Sequence, residues 1–275
     1  MKKIIYLLQF VIFIVLFNSC ETYSPWDTQD SVPFKCEPEI PTEVSNSNYV
    51  YVTHKATLNN KEVRNYTLCF DKTKYAARWV AYPLHSCYIG GQDRSDDWAY
   101  DPNIVSSYQV STYGYSTWGY TRGHQIPSAD RTATLELNQQ TFYMSNMTPQ
   151  GYDYNSGIWL DLETRVRSYK CNDTLYVVTG AHWDNTYTNV SRYPVPTHYY
   201  KVLLRTRNGN TKKSVFGVAP EDLKCIGFWI SHSATGSLNA SYCKSVADIE
   251  ALTGFTFFPQ VDVDKTECIP SDWGY

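Results

Sequence analysis

The chain has eight cysteines but no CxxC pair, which argues against a zinc cluster and for structural bridging. It has no basic excess: 24 Lys and Arg stand against 27 Asp and Glu, for a formal net charge of −3. A protein that coats nucleic acid needs many cations to displace counterions, so that class is disfavoured; work at a single anionic group needs only a few. No internal repeat or low-complexity tract is present, which excludes solenoids. Asp93, Asp96 and Asp97 lack EF-hand spacing and read as a solvated turn. No pair of carboxylates stands out as the facing couple of a glycoside hydrolase. Ser145 has no G-x-S-x-G setting. After Phe17 no stretch is long and apolar enough to cross a bilayer.

What is present begins with a cationic start, Lys2 and Lys3, followed by Ile4 to Phe17, apolar except for Gln9. This is the pattern of a signal peptide, and it is short for a span, which needs about 20 apolar residues. Asn18, Ser19 and Cys20 follow as at a bacterial lipoprotein cleavage site, with Phe17 in place of the more usual Leu. Residues 1–20 are therefore expected to be a lipoprotein signal ending at Cys20. Acyl chains on that cysteine would tie an exported protein to a membrane, the outer membrane or cell surface, since each buried CH₂ contributes about 0.8 kcal/mol. A plain secreted protein and an uncleaved anchor are the alternatives. Residues 21–47, with four prolines and little periodicity, read as a flexible tether. Residues 48–275 read as one domain, and 43% hydrophobic residues allow a sizeable core. Seven cysteines remain after Cys20; outside the cytoplasm some should pair, and Cys243–Cys268, flanking the last helix and the tail, is the expected bridge.

The domain pattern is α+β, with strands outnumbering helices. Val50–Val52 is β-prone, and Asn65–Phe70 and Arg78–Leu84 read as strands paired around the turn-prone Asp71–Lys74. Cys87 to Tyr120 is loop-rich. Later strands are expected at Thr174–Thr179, His198–Arg205, Ser214–Val218 and Cys225–Ser231, and a helix at Val246–Leu252 stopped by Gly254.

The chemistry-bearing stretch runs from Thr121 to Glu163. His124 follows Arg122-Gly123 and precedes Pro127, so a constrained strand-like turn aims its ring. Ile158, Leu162 and Val166 recur every four residues and give a helix one apolar face. Asp153 or Asn155 suits its cap, and Arg165, Arg167 and Lys170 suit the negative end of its dipole. In a straight helix, Asn155 and Glu163 are about 12 Å apart along the axis and about 80° out of alignment. They cannot easily share one ion directly. Glu163 leans toward Asn155, however, so one amide oxygen with a carboxylate acting at one remove is a sensible magnesium site.

TRGHQIPSAD at Thr121 resembles the DRGH signature of the DNA/RNA non-specific endonucleases, the ββα-metal or His-Me finger nucleases that include mitochondrial endonuclease G. Ser145-Asn146, Pro149-Gln150, Asn155, Trp159 and Leu162-Glu163 continue that family's pattern in order. WVAYPL at Trp79, RSDDWAYDP at Arg94, TLYVVTG ending at Gly180 and PTHYYKVLL at Pro196 extend the similarity over nearly all of residues 50–260. The resemblance implies a central, mostly antiparallel sheet with flanking helices and a ββα-metal finger. It implies a magnesium-dependent endonuclease (Mn²⁺ may substitute) that cuts DNA and RNA with little sequence preference, leaving 5′-phosphate and 3′-hydroxyl ends. His124 would be the general base, Asn155 the single protein ligand to the metal, and Glu163 the holder of a metal-bound water. Asn146 would orient the histidine or the site around it, and Arg94 and Arg122 would bind the phosphate. The signature's Asp is Thr121 here, which puts rate or metal affinity in question but removes neither base nor ligand.

His182 and His198 sit beside β-prone runs and read as structural, and His54, His85 and His232 form no constellation. The many Tyr and Trp support the rival readings: a surface lipoprotein that stacks glycans on exposed rings, or a nuclease fold that binds without cutting. The joint presence of His124, Asn155 and Glu163 argues for the enzyme.

Overall fold

The computed structural model describes residues 37–275; the segment read as a signal, Cys20 and Cys36 lie outside the described residues. Glu37 to Thr42, which fall within the segment read as a tether, are docked on the domain. Pro38, Glu39 and Pro41 are buried, Arg64 pairs with both Glu37 and Glu39, and Thr42 donates its N–H to the Thr256 carbonyl. A buried carboxylate persists only when paired, and Arg64 is the cation that Glu39 needs.

A seven-stranded sheet forms the centre. Its strands are β1 (Tyr49–Leu58), β2 (Lys61–Asp71), β3 (Ala76–Leu84), β6 (Leu175–His182), β9 (His198–Thr206), β10 (Leu223–Ser231) and β11 (Cys243–Lys244), adjacent in that order and antiparallel throughout. Two short hairpins stand outside it: β4 (Tyr120–His124) with β5 (Met147–Gly151), and β7 (Asn189–Val190) with β8 (Tyr193–Pro194). The helices are α1 (Leu135–Gln140), the single turn α2 (Tyr152–Tyr154), α3 (Leu160–Ser168) and α4 (Val246–Thr253).

The sheet is apolar on both faces, because alternate residues of each central strand enter different cores. Val80, Tyr82 and Leu84 of β3, with Val177 of β6 and Leu203 of β9, meet Ile158, Trp159, Leu162 and Val166 around α3 on one face. Trp79, Ala81, Val178, Val202 and Leu204 meet Val246 and Ile249 of α4 on the other. Each fully buried side chain of this kind contributes about 1.5–3 kcal/mol, so α3, which bears Glu163, is fixed by its apolar stripe.

Four sequence expectations change. Ser214–Val218 is a turn closed by the Gly217 N–H on the Ser214 carbonyl; Val215 is buried without any strand partner, so β-branching there reports packing, not pairing. Cys243 and Cys268 are not bridged: all six cysteines among the described residues are free thiols. The Cys243 thiol is pushed up to about 12 by burial and by the neighbouring Cys268. Asn155 is not a helix cap, because the helical path starts earlier with Gly151 at the cap position. Nor is that helix straight: Asn155–Trp159 is a π-helical turn with Gly157 at φ −107 and ψ −114. α1 was not anticipated; it is only six residues long, capped by the Thr134 hydroxyl on the Leu137 N–H. α4 ends as expected, with Gly254 at φ +76, a conformation that disfavours side chains.

Candidate active site

The site is built on the β4–β5 hairpin and the helix that follows it. Tyr120 pairs with Gly151, Thr121 with Gln150, and so on to His124 with Met147. Gly123 is required by closeness: a Cβ there would lie 2.2 Å from the buried Gln150 side chain. The hairpin can pack this tightly only without that carbon, which explains the glycine between Arg122 and His124. Past β5 the chain enters α2, the π-helical turn and α3, giving the strand–strand–helix order that the resemblance implies.

Two rings gather three of the expected residues. Trp98 and Phe142 meet edge to face at 4.9 Å. The His124 ring packs against both, at 5.6 Å from Trp98 and 5.1 Å from Phe142. The Arg122 guanidinium lies 3.6 Å over Trp98, and that of Arg94 4.7 Å over Phe142. Cation–π attraction of roughly 0.5–2 kcal/mol holds each cation while leaving N–H groups for a ligand. Arg122 Nη1 donates to the Thr112 carbonyl at 2.6 Å. Arg94 Nε donates to Asp96 and Nη1 to the Ser128 hydroxyl, and its side chain remains 49% exposed, open to an incoming anion.

His124 keeps its ring half-buried with Nε2 covered and without a hydrogen-bond partner. Burial first, then the charges of Arg94 and Arg122, push its pKa down to about 3. The imidazole is therefore neutral at pH 7, with a lone pair available.

Asn155 is tied to the hairpin by its amide nitrogen, which donates to the Thr121 hydroxyl at 3.0 Å. Glu163, on α3, is held by a buried charge cluster. Its pKa is raised by burial, opposed by the Lys201 ammonium, with Asp130 raising it and Arg167 lowering it. Lys201 is 0% exposed; its Nζ donates to the Thr179 hydroxyl at 3.1 Å and reaches the Gln125 carbonyl at 3.5 Å, and it lies 4.7 Å over the Trp159 ring. Arg167 Nε donates to Asp130 Oδ1 at 2.6 Å. Lys201→Met should therefore strand a carboxylate without its buried counter-charge and lower stability by about 3 kcal/mol. Urea denaturation measures this, and an unchanged midpoint would show that the ammonium carries no such burden.

Asn146 reaches the segment after His124 rather than the ring. Its Oδ1 accepts from the Ile126 N–H, and its Nδ2 donates to the Ile126 and Thr141 carbonyls. With its side chain committed to backbone, it fixes the path of the chain leaving the histidine. Sequence reasoning missed Trp98, Phe142, Lys201 and Arg167 as parts of the site. Two of these carried a usable signal: Arg167, four residues after Glu163 on one helical face, and Lys201, a charge within the apolar run of β9. Another histidine acts nearby: His232 Nε2 accepts from the Gly151 N–H at 2.9 Å and pins the end of β5.

Comparison with known proteins follows the same lines. The model of the DNA/RNA non-specific endonuclease family matches residues 45–264. "Nuclease EXOG, mitochondrial" of Xenopus laevis is 31% identical over 216 residues, covering 73% of this chain but only 58% of that protein. A "Nuclease" of Nostoc sp. is 30% identical over 242 residues, 84% of this chain and 81% of its own length. "Nuclease C1" of Cunninghamella echinulata is 31% identical over 221 residues, 74% and 83% of the two chains. A crystal structure of the EndoG/EndoGI complex shares the fold, with a TM-score of 0.60 at 23% identity, over 76% of this chain and 87% of that one. Fold, motif order and extent of the match agree: the chain belongs to the DNA/RNA non-specific endonuclease family.

Proposed function

We propose that this protein is a divalent-metal-dependent endonuclease that hydrolyses phosphodiester bonds of DNA and RNA without strong sequence preference. The observation that carries the reading is the shared ring pair: it sets a neutral, partnerless imidazole nitrogen beside two guanidinium groups. A general base next to cations that grip an anion is what phosphodiester hydrolysis needs.

The donor set suits magnesium. Among the described residues no group of three or more His, Cys, Asp or Glu is placed to hold a metal, which disfavours zinc. Magnesium takes few protein ligands, and the Asn155 oxygen would hold it directly with Glu163 acting at one remove; Mn²⁺ should substitute. When bound, the cation would polarise the phosphate and stabilise charge on the departing oxygen. Arg94 and Arg122 would orient the phosphate. His124 Nε2 would take a proton from the attacking water as its oxygen bonds to phosphorus. The P–O3′ bond breaks, and the 3′-oxygen gains a proton from solvent. The products carry a 5′-phosphate and a 3′-hydroxyl.

Incubation with plasmid DNA and with RNA tests this. Both should be degraded in magnesium, survive in EDTA, and be cut again when magnesium is restored. Intact plasmid in magnesium would instead support a glycan-binding protein or a fold that only binds. A pH dependence follows from Glu163. Its folded pKa is raised, so the carboxylate is lost as pH falls through a range above that of ordinary carboxylates. The magnesium concentration for half-maximal rate should climb between about pH 8 and about pH 6, with saturating metal restoring much of the rate. A flat requirement would remove Glu163 from the metal's surroundings.

We propose also that Cys20 carries lipid and anchors the exported protein to a bacterial membrane. The acyl chains on Cys20 would supply the attachment. Labelling with a fatty-acid analogue should mark wild type and not Cys20→Ala.

A further inference from the structure

The residue that departs from the family signature sits at the junction of the hairpin and the metal-binding turn. Thr121 Oγ1 accepts from Asn155 Nδ2 at 3.0 Å and donates to the Gln150 carbonyl, also at 3.0 Å. Gln150 is its register partner across β4–β5. A threonine hydroxyl has a single proton. Once that proton is committed to Gln150, the oxygen can only accept, and so only the NH₂ side of the Asn155 carboxamide can face it. Because the group is planar, its oxygen is then turned away from Thr121.

We propose that Thr121 is a positioning residue that selects the one amide orientation of Asn155 in which Oδ1 is presented to a divalent cation. The inference rests on Asn155 being the metal ligand. The hydroxyl meets each neighbour with the group it needs, an acceptor toward Asn155 and a donor toward the Gln150 carbonyl. Threonine satisfies both neighbours and adds no charge. Without the hydroxyl, both amide orientations become accessible, and the wrong one points N–H groups at the cation.

The test is a Mn²⁺ titration of the full chain in detergent without nucleic acid, following loss of the free-ion paramagnetic resonance signal. Wild type, Thr121→Val, Thr121→Ser and Asn155→Ala are compared, each with a melting curve. Thr121→Val keeps the shape and removes the hydroxyl; its Mn²⁺ affinity should fall about three- to tenfold, the loss of one hydrogen bond. Thr121→Ser keeps the hydroxyl and should bind within about twofold of wild type by the same reasoning. If Thr121→Val fails to fold, Thr121→Ala, which makes space instead of filling it, carries the same expectation. Wild-type affinity in Thr121→Val with loss in Asn155→Ala would overturn the positioning role while leaving the ligand in place. Equal affinity in wild type and Asn155→Ala would mean that Asn155 is not the ligand, and the positioning role would fall with it.

Discussion

His124→Ala should lose roughly 10²- to 10⁴-fold in turnover of plasmid DNA at saturating magnesium, the range a positioned general base supplies. The fold should survive. The ring is half-buried and meets Trp98 and Phe142 in edge contacts, and those two rings meet each other independently at 4.9 Å. Edge-to-face contacts of this kind are worth about 0.5–1.5 kcal/mol, so the melting temperature should drop by only a few degrees. Burial and two nearby guanidinium groups hold the wild-type ring neutral well below the usual histidine range. The base is therefore present across neutral pH, and its removal should cost about the same at every pH where the enzyme works. Rates measured beside melting curves decide the matter: if the variant degraded DNA as fast as wild type, His124 would not be the base.

Asn155→Ala should show a different signature. The variant loses the only uncharged side-chain oxygen proposed to hold the cation directly, so its magnesium requirement should rise at least about tenfold before the rate at saturation changes. Thr121 keeps its bond to the Gln150 carbonyl, so the hairpin itself should not loosen. A magnesium titration of rate separates the two variants: His124→Ala lowers the ceiling, while Asn155→Ala shifts the midpoint. A variant with a lowered ceiling and an unmoved midpoint would show that Asn155 serves the histidine and not the metal.

The strands were legible because their side chains are buried on both sides. Runs such as YKVLL within β9 and LYVV within β6 leave little alternative to a central strand. Ser214–Val218 has the same residue types but was misread, since propensity reports a half-buried surface and not a partner. The β4–β5 hairpin was legible as a motif, Arg122-Gly123-His124, while the reason for its glycine was not. That reason is Gln150, 27 residues further along the chain, and no local pattern reveals it. The helix after it was half legible. Ile158, Leu162 and Val166 gave its buried face, but that period carries no sign of the π-helical turn at Asn155–Trp159, where the Asn155 carboxamide donates a hydrogen bond to Thr121. The supporting shell, Trp98, Phe142 and Lys201, is assembled from three distant segments. A buried lysine inside the apolar run of β9 was the one visible irregularity among these three.

The seven-stranded sheet also acts as a partition. Everything that touches the proposed reaction, α3, Lys201, Thr179 and the histidine loop, belongs to one side of it, while α4 and its aromatic companions Phe255, Phe257 and Phe258 occupy the other. That far side is a place where the molecule can be hardened or varied at little risk to catalysis. Substitutions there should show first in melting temperature, because none of those side chains reaches the proposed site.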